Sequence, residues 1–419
     1  MNTLPQSMQP IVTPPPKEPN MSTSFRFNRM EFAGSLGDLG TLLPLAIGMI
    51  MVNGMSTTGV LYSIGFFYLL AGFYFRVPVP VQPMKAIGAY AVATGMVASQ
   101  VAASVGLVSL FLFIIGITGT INFIGALIPK PVIRGVQLST GLLLMTQGVK
   151  MILGTSFQQL AAQSTEPNLT IQAIGPLPIG ICLGVLGLTI TLFLLKNKKY
   201  PAAIVVISLG VLTGLIWGTH GGFDRIAMGI YLPKLLPLGF PKIPDLTVAL
   251  LVLVLPQLPM TVGNAIIANT DLSKEYFADE SKKVTYKSTT LSMALANGLS
   301  FLLGGIPLCH GAGGLAAHYS FGARTGGSNI IIGTLFLALA MFLGPHALTL
   351  INLLPMSILG VLLIFAGCQL GLSILDMFAR KDMFIVLTIV SVTLTTNLAW
   401  GFLVGVILGH LFKSDRFSI

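Results

Sequence analysis

The sequence predicts an all-α polytopic membrane protein of about 14 membrane segments, arranged as two inverted seven-segment repeats. Three observations predict it. Of the 419 residues, 54% are hydrophobic and 9% are charged, whereas a soluble domain carries about 25% charged residues. Apolar runs of roughly 17–25 residues recur from about residue 35 onward, enough for roughly 12–14 helical crossings. The two halves also repeat one order of features. GSLGDLGTLLPLAIG is followed about 45 residues on by VPVPVQPMKAIGAYAVATG, and PQLPMTVGNAIIANTDL is followed at a similar distance by GGIPLCHGAGGLAAHYS.

Taken in order, the apolar runs predict crossings at 35–52, 58–75, 84–99, 105–128, 132–153, 177–195 and 201–217. A second set follows at 246–268, 285–304, 310–319, 330–343, 348–366, 384–398 and 401–412. The third and tenth are short, Pro-led and rich in small residues. An odd number of spans per repeat turns the second repeat over relative to the first, the arrangement of many secondary carriers. The repeats are expected at about 31–218 and 246–412.

Charge placement gives the orientation. The net charge of +10 sits in short loops, where it acts as a topology signal and not as a nucleic-acid surface. The pair Lys130 and Arg134 and the clusters Lys196/Lys198/Lys199, Lys274/Lys282/Lys283/Lys287 and Lys413/Arg416 all follow even-numbered crossings. Both termini are therefore expected in the cytoplasm of a multi-pass cell-membrane protein. Residues 1–30, Pro-rich and polar, read as a disordered cytoplasmic tail, and 413–419 as a short second tail. Residues 220–245 read as an outside loop with an amphipathic stretch.

A helix that starts inside the bilayer is tolerated only where it lines a cavity, and its free N–H groups then form an anion site. Two such starts are expected, one at Pro83, Met84, Lys85 and Ala86, the other at Cys309, His310, Gly311, Ala312, Gly313 and Gly314. Facing each other, they would cradle a small tetrahedral oxyanion; the alternative is that the small residues only permit close helix packing. Lys85 would neutralise the anion or pair with a carboxylate such as Asp38. Asp38 could relay a proton, cap a helix start or hold Lys85. His310 could donate to the oxyanion or simply pack; His318 is a weaker candidate. Gln257 and Asn264 share a helix face and, with Thr41 and Gln82, could bind substrate or join helices. Arg324 either contributes to the site or anchors a helix end at the membrane surface.

Cys182, Cys309 and Cys368 have no paired spacing, and most of the thirteen acidic residues fall in predicted loops. No metal and no cofactor is expected, and a membrane-embedded enzyme, which needs clustered carboxylates or ligands, is disfavoured.

GDLGTLLPL (37–45), QPMKAIGA (82–89), PQLPMTVGNAI (256–266) and above all PLCHGAGGLAAHYSFGARTGG (307–327) resemble the sulfate-permease-like family of molybdate transporters, distant relatives of the SulP permeases. The resemblance runs from about 31 to 412. It implies a transporter domain of fourteen segments, with segments one to four and eight to eleven as the core and the rest as the gate. It also implies substrate between the half-helices of segments three and ten, and an elevator-like slide of core on gate. No STAS domain is expected, since only KSDRFSI follows Phe412. Molybdate import is the expected function, with tungstate or sulfate as competing substrates and an anion channel as the alternative. The lipid bilayer and a homodimeric second copy are the expected partners.

Overall fold

The computed structural model describes residues 25–121, 128–194, 201–220 and 226–412. Most of the expected N-terminal tail, the C-terminal tail and Lys196/Lys198/Lys199 lie outside the described residues.

The first expected crossing is two helices, α1 (Arg29–Ser35) and α2 (Leu39–Met51), bent by 41° at 36–38. The bend comes from close packing: a Cβ on Gly34 would lie 2.2 Å from the Ala323 nitrogen, and one on Gly37 would lie 2.9 Å from the Ala317 carbonyl oxygen. α3 spans Thr57–Phe75, started by the Ser56 side chain accepting from the Gly59 N–H. The chain then runs extended through β1 (Gln82–Pro83) into α4 (Lys85–Thr94), followed by α5 (Ala98–Thr118) and α6 (Lys130–Ile152). A small hairpin of β2 (Ala173–Ile174) and β3 (Leu177–Pro178) leads to α7 (Ile179–Leu194) and α8 (Ala202–Trp217).

The second half opens with one continuous helical run, α9 (Ile243–Ser281). Two π-helical stretches, Ala249–Val254 and Thr261–Ala268, flank the two prolines of LPQLPM. α10 (Tyr286–Leu303) precedes a second extended piece, β4 (Leu308–Cys309), and the half-helix α11 (Ala312–Ser320). α12 (Gly327–Leu343), α13 (Met356–Gly371), α14 (Arg380–Thr395) and α15 (Leu398–Leu411) complete the fold. Among the described residues, 226–242 has no helix, and its amphipathic stretch is irregular, with a turn at 235–238. Pro233, Pro237 and Pro241 each remove a helix N–H there.

Six of these helices are long and apolar enough to cross a membrane, and the α1/α2 pair makes a seventh. The rest of the expected fourteen are shorter or more polar. α4 and α11 have 10 and 9 residues, and α14 opens with Arg380, Lys381 and Asp382.

Packing divides the helices into two groups. α3 lies on α12 and α5 on α10, while α6 lies on α13 with α7, α14 and α15 around them. Backbone meets backbone at the α6/α13 contact, because a Cβ on Gly148 would sit 2.5 Å from the Gly360 carbonyl oxygen and one on Gly360 equally close to that of Gly148. Small residues let membrane helices approach this closely without a hydrophobic driving force.

Glu166, in the loop after α6, is fully buried, and its carboxylate accepts from the N–H groups of Met356 (2.8 Å) and Ser357 (2.9 Å), capping α13. Burial pushes the Glu166 carboxyl above the ordinary carboxylate range, against the opposing pull of these hydrogen bonds. A raised folded-state value stabilises fully below the unfolded value and loses that contribution as pH rises through the folded one. As pH rises above about 4, the unfolding temperature of the wild type should therefore fall relative to that of Glu166→Gln. Parallel melting curves would refute this.

Candidate functional site

Segments 76–84 and 304–311 cross at the centre of the first helix group, with Gln82 opposite Cys309 and Pro83 opposite Leu308. Extended backbone inside a bilayer must have its polar groups satisfied by protein, and side chains do so here. Asn329 exchanges two hydrogen bonds with Val79 (2.6 and 3.3 Å), and Asn297 does the same with Leu308 (2.7 and 2.9 Å). Tyr68 donates to the Val81 carbonyl, Ser300 to that of Ile306, and the Met84 N–H to that of Pro307.

From this crossing α4 and α11 run in opposite directions. Asn53, after α2, closes the far end of α4 through the Ala91 and Met96 carbonyls, whereas Gly34 of α1 meets His318 on α11. No side chain caps the start of α11, and its first backbone bond runs from Leu315 to Gly311. The N–H groups of Ala312, Gly313 and Gly314 are thus left unused by the helix itself. A Cβ added to Gly313 or to Gly263 of α9 would meet no atom within 4 Å. Gly313 is exposed and Ala312, Gly263, Asn264, Thr41 and Lys85 are half-buried, so a recess opens beside the crossing. Lys85 forms no ion pair among the described residues, while its charge acts on both Asp38 and Cys309.

The α4 start differs from expectation. Gln257 Oε1 accepts from the N–H groups of Ala86 (2.9 Å) and Ile87 (3.3 Å), while its Nε2 donates to Thr261. An amide from α9 therefore occupies the donors that the sequence left free at Ala86, and the two half-helix ends are unequal. Asn264, two turns further along α9, has its Nδ2 3.5 Å from the Cβ position of Gly311. Gln82 donates to Asp38 Oδ1 (2.8 Å). Asp38 Oδ2 and Gln82 Oε1 are buried and make no hydrogen bond among the described residues. Both flank α11: an added Cβ would lie 2.3 Å from Gln82 Oε1 at Gly311 and 2.4 Å from Asp38 Oδ2 at Gly314. Thr41 begins α2 with its N–H on the Asp38 carbonyl.

Two candidates lie outside the recess. His310 is fully buried against Phe67 and Phe75, with Nδ1 on the Pro80 carbonyl (2.8 Å) and Nε2 on Ser292 Oγ (2.8 Å). A carbonyl only accepts, so the Nδ1 proton is committed there; His310 braces the crossing. Arg324 donates to the Tyr319 and Ala323 carbonyls and stacks on the Tyr319 ring, anchoring the far end of α11. Met84, Pro83 and Cys309 are buried in the crossing itself, with Cys309 Sγ 3.9 Å from the Pro83 carbonyl oxygen.

A family model described as molybdate transporter of MFS superfamily matches residues 30–144 and 249–370, stretches that contain both half-helices. The chain belongs to the molybdate transporter family. Molybdate transporter 2 of Arabidopsis thaliana is 30% identical over 91% of this chain and 87% of its own length. Molybdate transporter 1 of Chlamydomonas reinhardtii is 30% identical over 93% and 92%. Among solved structures, the transmembrane domain of the cyanobacterial bicarbonate transporter BicA superposes with a TM-score of 0.64 at 18% identity, covering 92% of this chain and 98% of that one. The anion transporter Slc26a9 from mouse, in its inward-facing state, gives 0.65 at 13% identity, covering 94% and 70%. At these identities the likeness is one of fold. The relatives are transporters, not enzymes.

In this molybdate transporter family member, sequence reasoning missed the residues that hold the crossing. Asn297 and Asn329 stand in apolar helices, and a buried amide in a membrane span is the signal that finds them. Gly263, in VGNAI, was hidden by its small neighbours.

Proposed function

We propose that the protein is a secondary active transporter that imports molybdate across the cell membrane, binding the oxyanion between the N-termini of α4 and α11. The observation that carries this reading is the recess at the crossing, formed by the uncapped start of α11 and exposed Gly313, with Lys85 opening α4 free of ion pairs among the described residues. Pro83, Met84, Cys309 and His310 hold the two starts in place, and Gln257 caps that of α4; Gly311, Gly313 and Gly314 let the anion reach backbone; Thr41 and Asn264 line the approach.

Charge balance supports coupling through Asp38. Two helix N-termini of roughly +0.5 each and one lysine give roughly +2, the match for a dianion, but only when Asp38 is neutral. A proton on Asp38 therefore accompanies the substrate, with Gln82 orienting the carboxyl.

Helix pairing supports the inverted repeat. If seven segments are exchanged for seven, the α3/α12 pair becomes the α10/α5 pair, while the β1/β4 and α6/α13 pairs map onto themselves. Segments one to four and eight to eleven then form the core (31–218 and 246–412 being the repeats) and the others the gate. An apolar cleft of about 230 Å³ lies along that seam, lined by Ile47, Ile64, Ile207, Phe336 and Leu354. Few polar contacts would resist a slide there, which fits elevator-like alternating access. Both termini are assigned to the cytoplasm on the positive-inside rule, and the working unit is read as a homodimer in the bilayer.

The test is molybdate uptake into proteoliposomes against excess tungstate or excess sulfate. Concentrative uptake blocked by tungstate and spared by sulfate is expected. Equal block by sulfate would make this a general oxyanion permease, and non-saturable flux a channel.

A further inference from the structure

We infer that a file of three buried titratable side chains, Asp38, His318 and Glu31, carries the coupling proton from the crossing to the end of the bundle that bears Arg29, Arg76, Lys282 and Arg324. This rests on the reading of Asp38 as the proton-coupling residue and adds its route.

The three groups lie along the α1/α11 seam at successive levels. Asp38 stands beside Gly314 at the start of α11. His318 is one turn further on the same face, about 6 Å along the axis, with Nδ1 2.7 Å from the Gly34 carbonyl oxygen, one turn before Asp38 in the chain. Helical side chains lean toward their own N-terminus, which inclines the His318 ring toward Asp38. Glu31 lies about a further turn back. Its Oε1 accepts from the N–H groups of Arg324 (3.1 Å) and Thr325 (2.9 Å) and from Thr325 Oγ1 (3.0 Å), where α11 turns into α12.

Among the described residues, each member keeps one buried polar atom with no hydrogen bond: Asp38 Oδ2, His318 Nε2 and Glu31 Oε2. All three residues are at most 2% exposed. Leaving one such atom unpaired costs about 1–3 kcal/mol. Three such atoms among the described residues fall on one seam, about one per turn. A carbonyl only accepts, so His318 carries its proton on Nδ1 and offers Nε2 as a base.

The transfer balances without a further reactant. Asp38 Oδ2 gives its proton to His318 Nε2, forming an imidazolium that keeps its Nδ1 proton on the Gly34 carbonyl. Nε2 then gives that proton to Glu31 Oε2, which releases it at the basic end. Each spacing of about one turn requires one bridging water or a side-chain rotation. Lys85 and the Tyr68 and Cys309 side chains face Asp38, and Tyr68 also faces His318. Near Glu31, the Arg324 guanidinium is tied to the Tyr319 and Ala323 carbonyls, the Ser328 backbone donates to the carboxyl, and the Arg26 N–H is held by Thr325 Oγ1.

The experiment uses full-length protein in proteoliposomes with His318→Asn, which keeps a donor for the Gly34 carbonyl, and Glu31→Gln, which keeps the acceptor for Thr325. Molybdate self-exchange at equal pH on both sides measures binding and alternation without net proton movement; accumulation driven by an acidic outside measures coupling. In each variant accumulation should fall at least about tenfold while exchange stays within about twofold of wild type. Undiminished accumulation in either variant, a parallel loss of exchange and accumulation, or wild-type accumulation indifferent to the pH gradient would overturn the route. Absence of exchange by the wild type would instead refute the transport reading beneath it.

Discussion

Lys85→Ala should lower molybdate uptake by about 10–100-fold while leaving folded protein in the membrane, because a charge-assisted contact to substrate is worth about 1.5–3 kcal/mol. The residue stands at the first position of α4, half-buried and without an ion pair among the described residues, so its removal breaks no ion pair there. A structural lysine would behave otherwise, since loss of one member of a buried pair destabilises the fold. Lys85→Arg keeps the charge but spreads it over a planar fork, and should restore only part of the uptake. Uptake of the alanine variant at the wild-type rate would remove Lys85 from the site.

The second large effect is expected at the glycines of α11. Gly311→Val places a branched side chain where the Cβ alone would lie 2.3 Å from Gln82 Oε1, and Gly314→Ala places one 2.4 Å from Asp38 Oδ2 and 2.7 Å from Pro80 Cβ. Neither position needs glycine for its backbone angles; Gly311 is extended, at φ −168°. The obstacle is space, so both variants must push the Asp38–Gln82 pair away from α11. Uptake should fall below detection in each. Gly313→Ala, whose Cβ meets nothing within 4 Å, faces the recess instead. It should raise the apparent KM several-fold by crowding the substrate, with expression unchanged. Normal transport in Gly311→Val and Gly314→Ala would show that this face of α11 does not approach the substrate.

Much of the fold was legible because lipid imposes length and polarity together. The run 58–75 became α3 at Thr57–Phe75, and 132–153 became α6 at Lys130–Ile152. The two Pro-led segments were legible for the same reason: proline and glycine where helix should continue mark a break that only a cavity tolerates. What escaped depended on partners distant in sequence. The bend at 36–38 arises from Ala317 and Ala323, some 280 residues away. α9 runs on through NTDLSKEY to Ser281, beyond the apolar stretch that predicted its end near 268, because Asn269, Thr270 and Ser273 are buried against the core.

The site was legible at the level of segments and less so at single residues. Gln82 does lie against Gly311, and both Gln82 and Asp38 lie against Gly314. Gln257 was weighed as substrate ligand or helix contact, yet its amide oxygen caps α4, a role that no spacing in the sequence encodes. His310 was weighed in the same way and is fixed by Pro80 and Ser292. The resolving facts are hydrogen bonds across 170 to 230 residues of chain.

The central claim is where the anion sits, and anomalous scattering from molybdenum in crystals grown with molybdate tests it most directly. The account predicts a single strong peak in the recess between the start of α4 at Lys85 and the N–H groups of Ala312, Gly313 and Gly314. A peak elsewhere, with that recess empty at saturating molybdate, would contradict it.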